Sequence, residues 1–339
     1  MNLSRSSHFI PLILTLLAIL SCHSGSNRVA ASPDQAVLNS PLLAPLNDSI
    51  NRFPDNAQLY FRRAELLSLN NAHEAAAKDY KKSWELAPAP ETAIQYASNL
   101  SINDMPAEKL TLLEDAVRKF PAENELNRLL GEAYAETGRS GEALDWYNRL
   151  LEKDPADFET WYEKGLLLLK KNDTARAIAA LKRAYEIQPV NTYALELAQV
   201  YAERGNEEAL GICDEVIARD STRELADPFL IRGIYYAVTR QYEPALVQFD
   251  SCIRRDWKFV DAYIEKGIVF FKQKNYDEAL NTFRMAATVS NTYPDAYYWM
   301  GRCYEVINKK QDAMVNYERA LELDKHFTEA REAMKRLKG

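Results

Sequence analysis

Glycine and proline are both sparse in this 339-residue chain, at 11 and 14 residues. Their scarcity argues against a turn-rich β architecture and favours long helices joined by short loops. Four cysteines are too few for a disulfide scaffold at this length. The four histidines, His8, His23, His73 and His326, are dispersed. No His-x3-His pair or glutamate-flanked histidine cluster offers a catalytic metal site, and no cofactor is expected. A glycine-rich phosphate loop is missing, and no serine sits in a nucleophile-elbow context. Positive charge is also short: 42 Lys and Arg stand against 49 Asp and Glu, for a net charge of -7. With no basic run, nucleic acid is not an expected partner. What remains is an ordinary folded composition, 47% hydrophobic and 27% charged.

The positive signal is repetition. Gly131, Gly165, Gly233, Gly267 and Gly301 are spaced 34, 68, 34 and 34 residues apart. A second small column, Ala76, Ala143, Ala177, Ala245, Ala279 and Ala313, lies 12 residues after the first, with Ala64 leading the earliest copy. Four residues further on stand Tyr80, Tyr147, Leu181, Phe249, Phe283 and Tyr317. Small residues in two columns let two helix axes approach closely, and the bulky residue fills the space beside them. Apolar spacings of three and four mark the buried stripe of each helix. Turn signals around Gly138, Asn172 and Asn275 split each copy into two helices, and Pro88, Pro155 and Pro189 follow the second.

These columns resemble the tetratricopeptide repeat. The resemblance implies an all-α, right-handed superhelical solenoid of about eight helix-turn-helix repeats over 57–327, about four-fifths of the chain. Two copies depart from it. Repeat two (91–123) has Ser98 in the glycine column and Lys109 where alanine belongs. Repeat five (192–225) has Gln199 in the glycine column and Gly211 in the alanine column, with Ala209 two residues earlier. Irregular packing or a bend is expected at both. Residues 328–339 read as a capping helix with Ala330, Met334 and Leu337 on one face. Residues 42–56 read as an N-terminal cap, since Phe53-Pro54 echoes Phe120-Pro121.

The repeats leave no room for a separate catalytic domain, so a non-enzymatic role is expected. The resemblance implies that the first helix of each unit lines a concave groove through its second, fifth, ninth and twelfth residues. Those places hold Tyr162, Leu166 and Leu169 in repeat four, Leu230 and Ile234 in repeat six, Ile264, Ile268 and Phe271 in repeat seven, and Tyr298 and Arg302 in repeat eight. Either this is a trough for a protein partner's apolar segment, or curvature packs the same side chains against the next repeat. Acidic second positions (Glu125, Glu159, Asp227, Asp261, Asp295) suit the first turn of a helix, and their summed field favours a basic partner edge. The lysine-and-asparagine clamp of chaperone-binding relatives is not matched. Cys213, Cys252 and Cys303 fall on repeat helices as small buried hydrophobes, with a Cys213–Cys252 disulfide as the alternative.

The start of the chain carries separate information. Arg5 precedes "FIPLILTLLAIL" (9–20), too short to span a bilayer and the right size for a signal-peptide core. The ending Ile19-Leu20-Ser21-Cys22 resembles the bacterial lipobox, although Leu20 departs from its usual short residue. The resemblance implies a signal peptide over 1–21 and a Cys22 that is lipidated, by palmitate or a similar acyl chain, and anchored to a membrane. Residues 22–41 then form a flexible tether. The alternative is an exported protein cut nearby without an anchor. The expected place is the bacterial envelope, periplasm-facing, with His23 favouring the outer membrane. The expected role is a scaffold or adaptor that grips a protein, the alternative being a binder of an envelope glycan such as peptidoglycan.

Overall fold

The computed structural model describes residues 33–338, so the leader (1–21), Cys22 and the start of the tether lie outside the described residues. Nineteen helices and no strand occur among the described residues. None of these helices is long and apolar enough to cross a membrane. The chain divides between Ala87 and Pro88 into two compact units.

The first unit holds α1 (Pro33–Leu38), α2 (Ala44–Arg52), α3 (Ala57–Leu69) and α4 (His73–Leu86). The tether expectation is corrected over 33–38. This segment is helical and packs on α3 and α4, and Asp34 accepts a hydrogen bond from the Ala75 amide at 2.8 Å. That carboxylate satisfies one of the amides that the first turn of α4 leaves unpaired.

The second unit continues the pairing. Its first helices are α5 (Pro90–Ile102), α7 (Asn124–Glu136), α9 (Phe158–Lys170), α11 (Asn191–Glu203), α13 (Asp227–Val238), α15 (Val260–Lys272) and α17 (Pro294–Val306). Their partners are α6 (Pro106–Lys119), α8 (Ser140–Lys153), α10 (Thr174–Ile187), α12 (Glu208–Arg219), α14 (Tyr242–Arg255), α16 (Tyr276–Val289) and α18 (Lys310–Leu323). The closing α19 (Thr328–Lys338) covers α18 with Ala330, Ala333 and Met334, and Arg336 bridges back to Glu305 at 2.9 Å.

The 34-residue period has a direct steric cause. A Cβ placed on Gly233 would stand 2.3 Å from Cε1 of Phe249, and one on Gly267 would stand 2.5 Å from Cε1 of Phe283. Gly131 with Tyr147, Gly165 with Leu181 and Gly301 with Tyr317 repeat this contact. Each bulky partner is buried, and burial of a side chain of this size contributes about 1.5–3 kcal/mol. Each pair turns through a left-handed residue: Asn71, Asp104, Gly138, Asn172, Gly205, Arg240, Lys274 and Asn308. The amide after it reaches back five residues, as from Lys309 to the Tyr304 carbonyl at 2.8 Å, closing the first helix.

Two register assignments are corrected. In repeat two the buried small residue is Ala97, at 0% exposure, while Ser98 faces outward. In repeat five it is Ala198, also 0%, and Gln199 lies half-buried with its amide donated to Glu203 at 2.7 Å. One residue along a helix turns a side chain by about 100°, so a one-residue deletion ahead of the column moves it. Lys109 does occupy the alanine column: it is 4% exposed and its ammonium bridges to Glu136 at 2.9 Å. Ala209 takes the place assigned to Gly211, which is exposed. The irregularity of repeat five gathers in a shortened α12 and an irregular stretch from Asp220 to Ala226.

Within the second unit, α5 touches α7, α7 touches α9, and α11, α13, α15 and α17 touch in turn. Each second helix instead packs on the first helix that follows it. The first helices therefore form the more closely spaced layer, and the stack curves toward them.

Candidate protein-binding face

The first helices of repeats three to eight follow one another along the stack, α7 against α9 and α11 through α17 in turn, with the Tyr162 and Tyr193 rings joining α9 to α11. The ten groove positions divide on this layer. Ile234, Ile264, Ile268 and Tyr298 are 6–9% exposed and belong to the packing between repeats. For these four the reading as an open trough is corrected, because close spacing of the first helices folds their side chains against the neighbouring repeat. Tyr162, Leu166, Leu169, Leu230, Phe271 and Arg302 keep partial solvent contact. The Tyr162 ring lies 4.5 Å from that of Tyr193. Phe271 meets Trp299 edge-on at 5.5 Å. The Arg302 guanidinium sits 5.6 Å from both of those rings and donates to the Tyr298 hydroxyl at 3.0 Å. That arginine is held by aromatic faces rather than by a carboxylate.

The same face is acidic. Arg128 bridges Glu132 at 2.8 Å and Glu159 at 3.0 Å. Glu163, Glu196 and Glu265 have no such support: half-buried, they accept no hydrogen bond and pair with no cation at ion-pair distance. Burial is the first cause of their raised pKa values, and neighbouring carboxylates add to it. Glu163, facing Glu132 and Glu136, is pushed up to about 7. Glu265 also rises to about 7 and feels Asp261 on its own helix, Glu203 on α11 and Asp295 on α17. A carboxylate two repeats away acts on it only across the inner face. Glu265 is hemmed in like an interior group yet still touches solvent, as expected at the floor of a cleft.

The buried cysteines offer no chemistry. Cys213, Cys252 and Cys303 are free thiols at 0% exposure. Burial pushes each up to about 12, so none presents a thiolate near neutrality.

Family models described as tetratricopeptide repeat match residues 110–158, 146–179 and 294–327. Residues 110–179 and 294–327 are thus tetratricopeptide repeats. Their fold is shared with a tetratricopeptide repeat protein from Parabacteroides merdae, whose crystal structure superposes with a TM-score of 0.63 at 16% identity, over 74% of this chain and 98% of that one. In sequence the chain is similar to the human mitochondrial import receptor subunit TOM70, 28% identical over 177 residues. That match covers 48% of this chain and 29% of the receptor's length. Hsp70-Hsp90 organizing protein 3 of Arabidopsis thaliana is 26% identical over 206 residues, covering 49% of this chain and 36% of its own.

In the tetratricopeptide register the three unsupported carboxylates share one place. Glu163, Glu196 and Glu265 each stand two residues before the small column, at Gly165, Ala198 and Gly267. A search of second, fifth, ninth and twelfth positions passes over Glu163 and Glu265, the sixth residues of 158–191 and 260–293. The assignment of Gln199 to the small column also hid the equivalence of Glu196.

Proposed function

We propose that the chain is a non-catalytic scaffold that holds a segment of a partner protein against the first-helix face of repeats three to eight, and that a lipid on Cys22 anchors it to a bacterial envelope membrane, periplasm-facing. The observation that carries the binding role is a row of incompletely buried side chains, Tyr162, Leu166, Leu169, Leu230 and Phe271, along one face. Aromatic and aliphatic anchors of this kind dominate recognition of a helix or extended segment. The names of the two relatives, an import receptor subunit and an organizing protein, support a binding role. Support for the anchor is the sequence alone, the apolar core of 9–20 followed by Ser21 and Cys22.

Two measurements test the proposal. A photo-crosslinker at Leu166 in intact cells is expected to capture a protein, and one at Glu186 on α10 is not. Equal yields at the two positions would remove the face from consideration. Growth with an alkyne fatty acid is expected to label the chain, with the label lost in Cys22→Ala. An unlabelled chain, or label that survives the substitution, refutes the anchor.

A further inference from the structure

The chemistry of the partner segment is written in the face itself, provided that the reading of it as a binding surface holds. Two features occupy the same layer: incompletely buried apolar side chains and carboxylates without partners. Surface carboxylates normally have water on all sides, so their pairing matters little. Glu163, Glu196 and Glu265 are partly withdrawn from water, and none accepts a hydrogen bond or pairs with a cation at ion-pair distance. Around Glu163 stand Glu132, Glu136 and Glu159, with Arg128 already committed to two of these. Around Glu265 stand Asp261, Glu203 and Asp295, with Lys272 the cation acting there. Lys109 is engaged by Glu136, and Arg302 by its aromatic ring of neighbours. The chain's own cations therefore leave a net negative, partly dehydrated strip beside the apolar one. An acidic ligand meets repulsion along it, and a purely apolar ligand buries the charges uncompensated.

We propose that the occupant is a basic amphipathic segment of a partner protein, its arginine or lysine side chains seated on Glu163, Glu196 and Glu265 and its apolar residues on Tyr162, Leu166 and Phe271. Arginine suits such a site because its planar fork satisfies a carboxylate with two hydrogen bonds and gives up water readily. The carboxylates lie on three different first helices, so the segment must run along the stack to reach them.

The test pans a displayed library of random dodecapeptides on the full chain and measures the enriched peptide by fluorescence anisotropy. Enrichment of arginine or lysine together with aliphatic residues is expected. Glu163→Gln with Glu265→Gln should weaken that peptide about tenfold or more. Glu186→Gln with Glu322→Gln removes the same charge from exposed second-helix positions and should leave affinity within about twofold, as expected for screened surface charge. Equal weakening by both pairs overturns the proposal, as does an enriched peptide that is acidic or uncharged. Leu166→Ser separates the two levels. If an acidic or neutral peptide is enriched and Leu166→Ser abolishes its binding, the face is a binding site and only the basic partner fails. If no peptide is enriched, or binding ignores Leu166→Ser, both readings fail.

Discussion

Glu163→Gln removes an ionisation that the free chain tolerates poorly. The Glu163 carboxyl is half-buried on α9, opposite Glu132 and Glu136 of α7 and near Glu159, with Arg128 the cation within reach. Burial first, and then the like charges, raise it from 4.5 to about 7. Between those values the folded chain keeps a proton that the unfolded chain has released. Stability therefore falls as pH rises through this window, and above about 7 the full penalty is in place. A displacement of this size corresponds to about 3 kcal/mol, and partial solvent contact with screening reduces it to about 1–2 kcal/mol. Glutamine keeps the shape without the charge. At pH 8 the variant should melt about 2–6 °C above the parent, and near pH 4.5 the two curves should converge. Thermal melts followed by circular dichroism from pH 4.5 to 8 provide the assay. A variant that is less stable at pH 8, or equally stable throughout, would falsify the reasoning, because it would mean that the carboxylate finds a donor in the free chain.

Three further outcomes follow from the packing. Gly267→Ala puts a Cβ 2.5 Å from the Phe283 ring and should cost about 1–3 kcal/mol in urea unfolding, whereas Gly141→Ala meets nothing within 4 Å and should be neutral or slightly stabilising. Lys274 holds a left-handed turn with φ of 63°. Lys274→Gly should stabilise the chain by about 1 kcal/mol in the same assay, and any loss would contradict the strain assigned there. Ile268 is 6% exposed inside the core of repeats seven and eight. Ile268→Asp should open those repeats to limited trypsin digestion, and a digestion pattern like the parent's would place the side chain on the surface after all.

The period was legible because its cause lies in single residues. A glycine sixteen positions before an aromatic ring is a steric contact that composition cannot blur, and Gly233 with Phe249 announces a helix pair unaided. Repeats two and five were misread by one residue because Ala97 and Ala198 are small but not glycine, beside Ser98 and Gln199 that fit the expected count. Sequence places a deletion only to within a turn, whereas burial fixes it. The candidate face was legible by position but not by depth. Ile264 and Phe271 look alike in a list of apolar residues, yet one is buried and the other half-open, a difference set by how closely neighbouring first helices approach. The unsupported carboxylates were visible as letters two places before each small residue. What made them notable, carboxylate neighbours without a hydrogen-bond or ion-pair partner, exists only once α7, α11 and α17 are brought around them.

Because each helix pair in the second unit leans only on its neighbours, damage has two directions in which to travel and no shortcut between distant repeats. The stretch from Asp220 to Ala226, after the shortened α12, is the longest non-helical connection between the helices of the second unit, and so the place a protease reaches most readily. Were the two halves of a nicked chain to part there, Ile231 and Tyr235 would be laid bare, side chains now packed against α11 and its neighbours. The two fragments would each end in an adhesive apolar plate, matched to the other and to every other broken copy. Separation of a cut chain at that seam would thus turn a covered stack into a self-associating one.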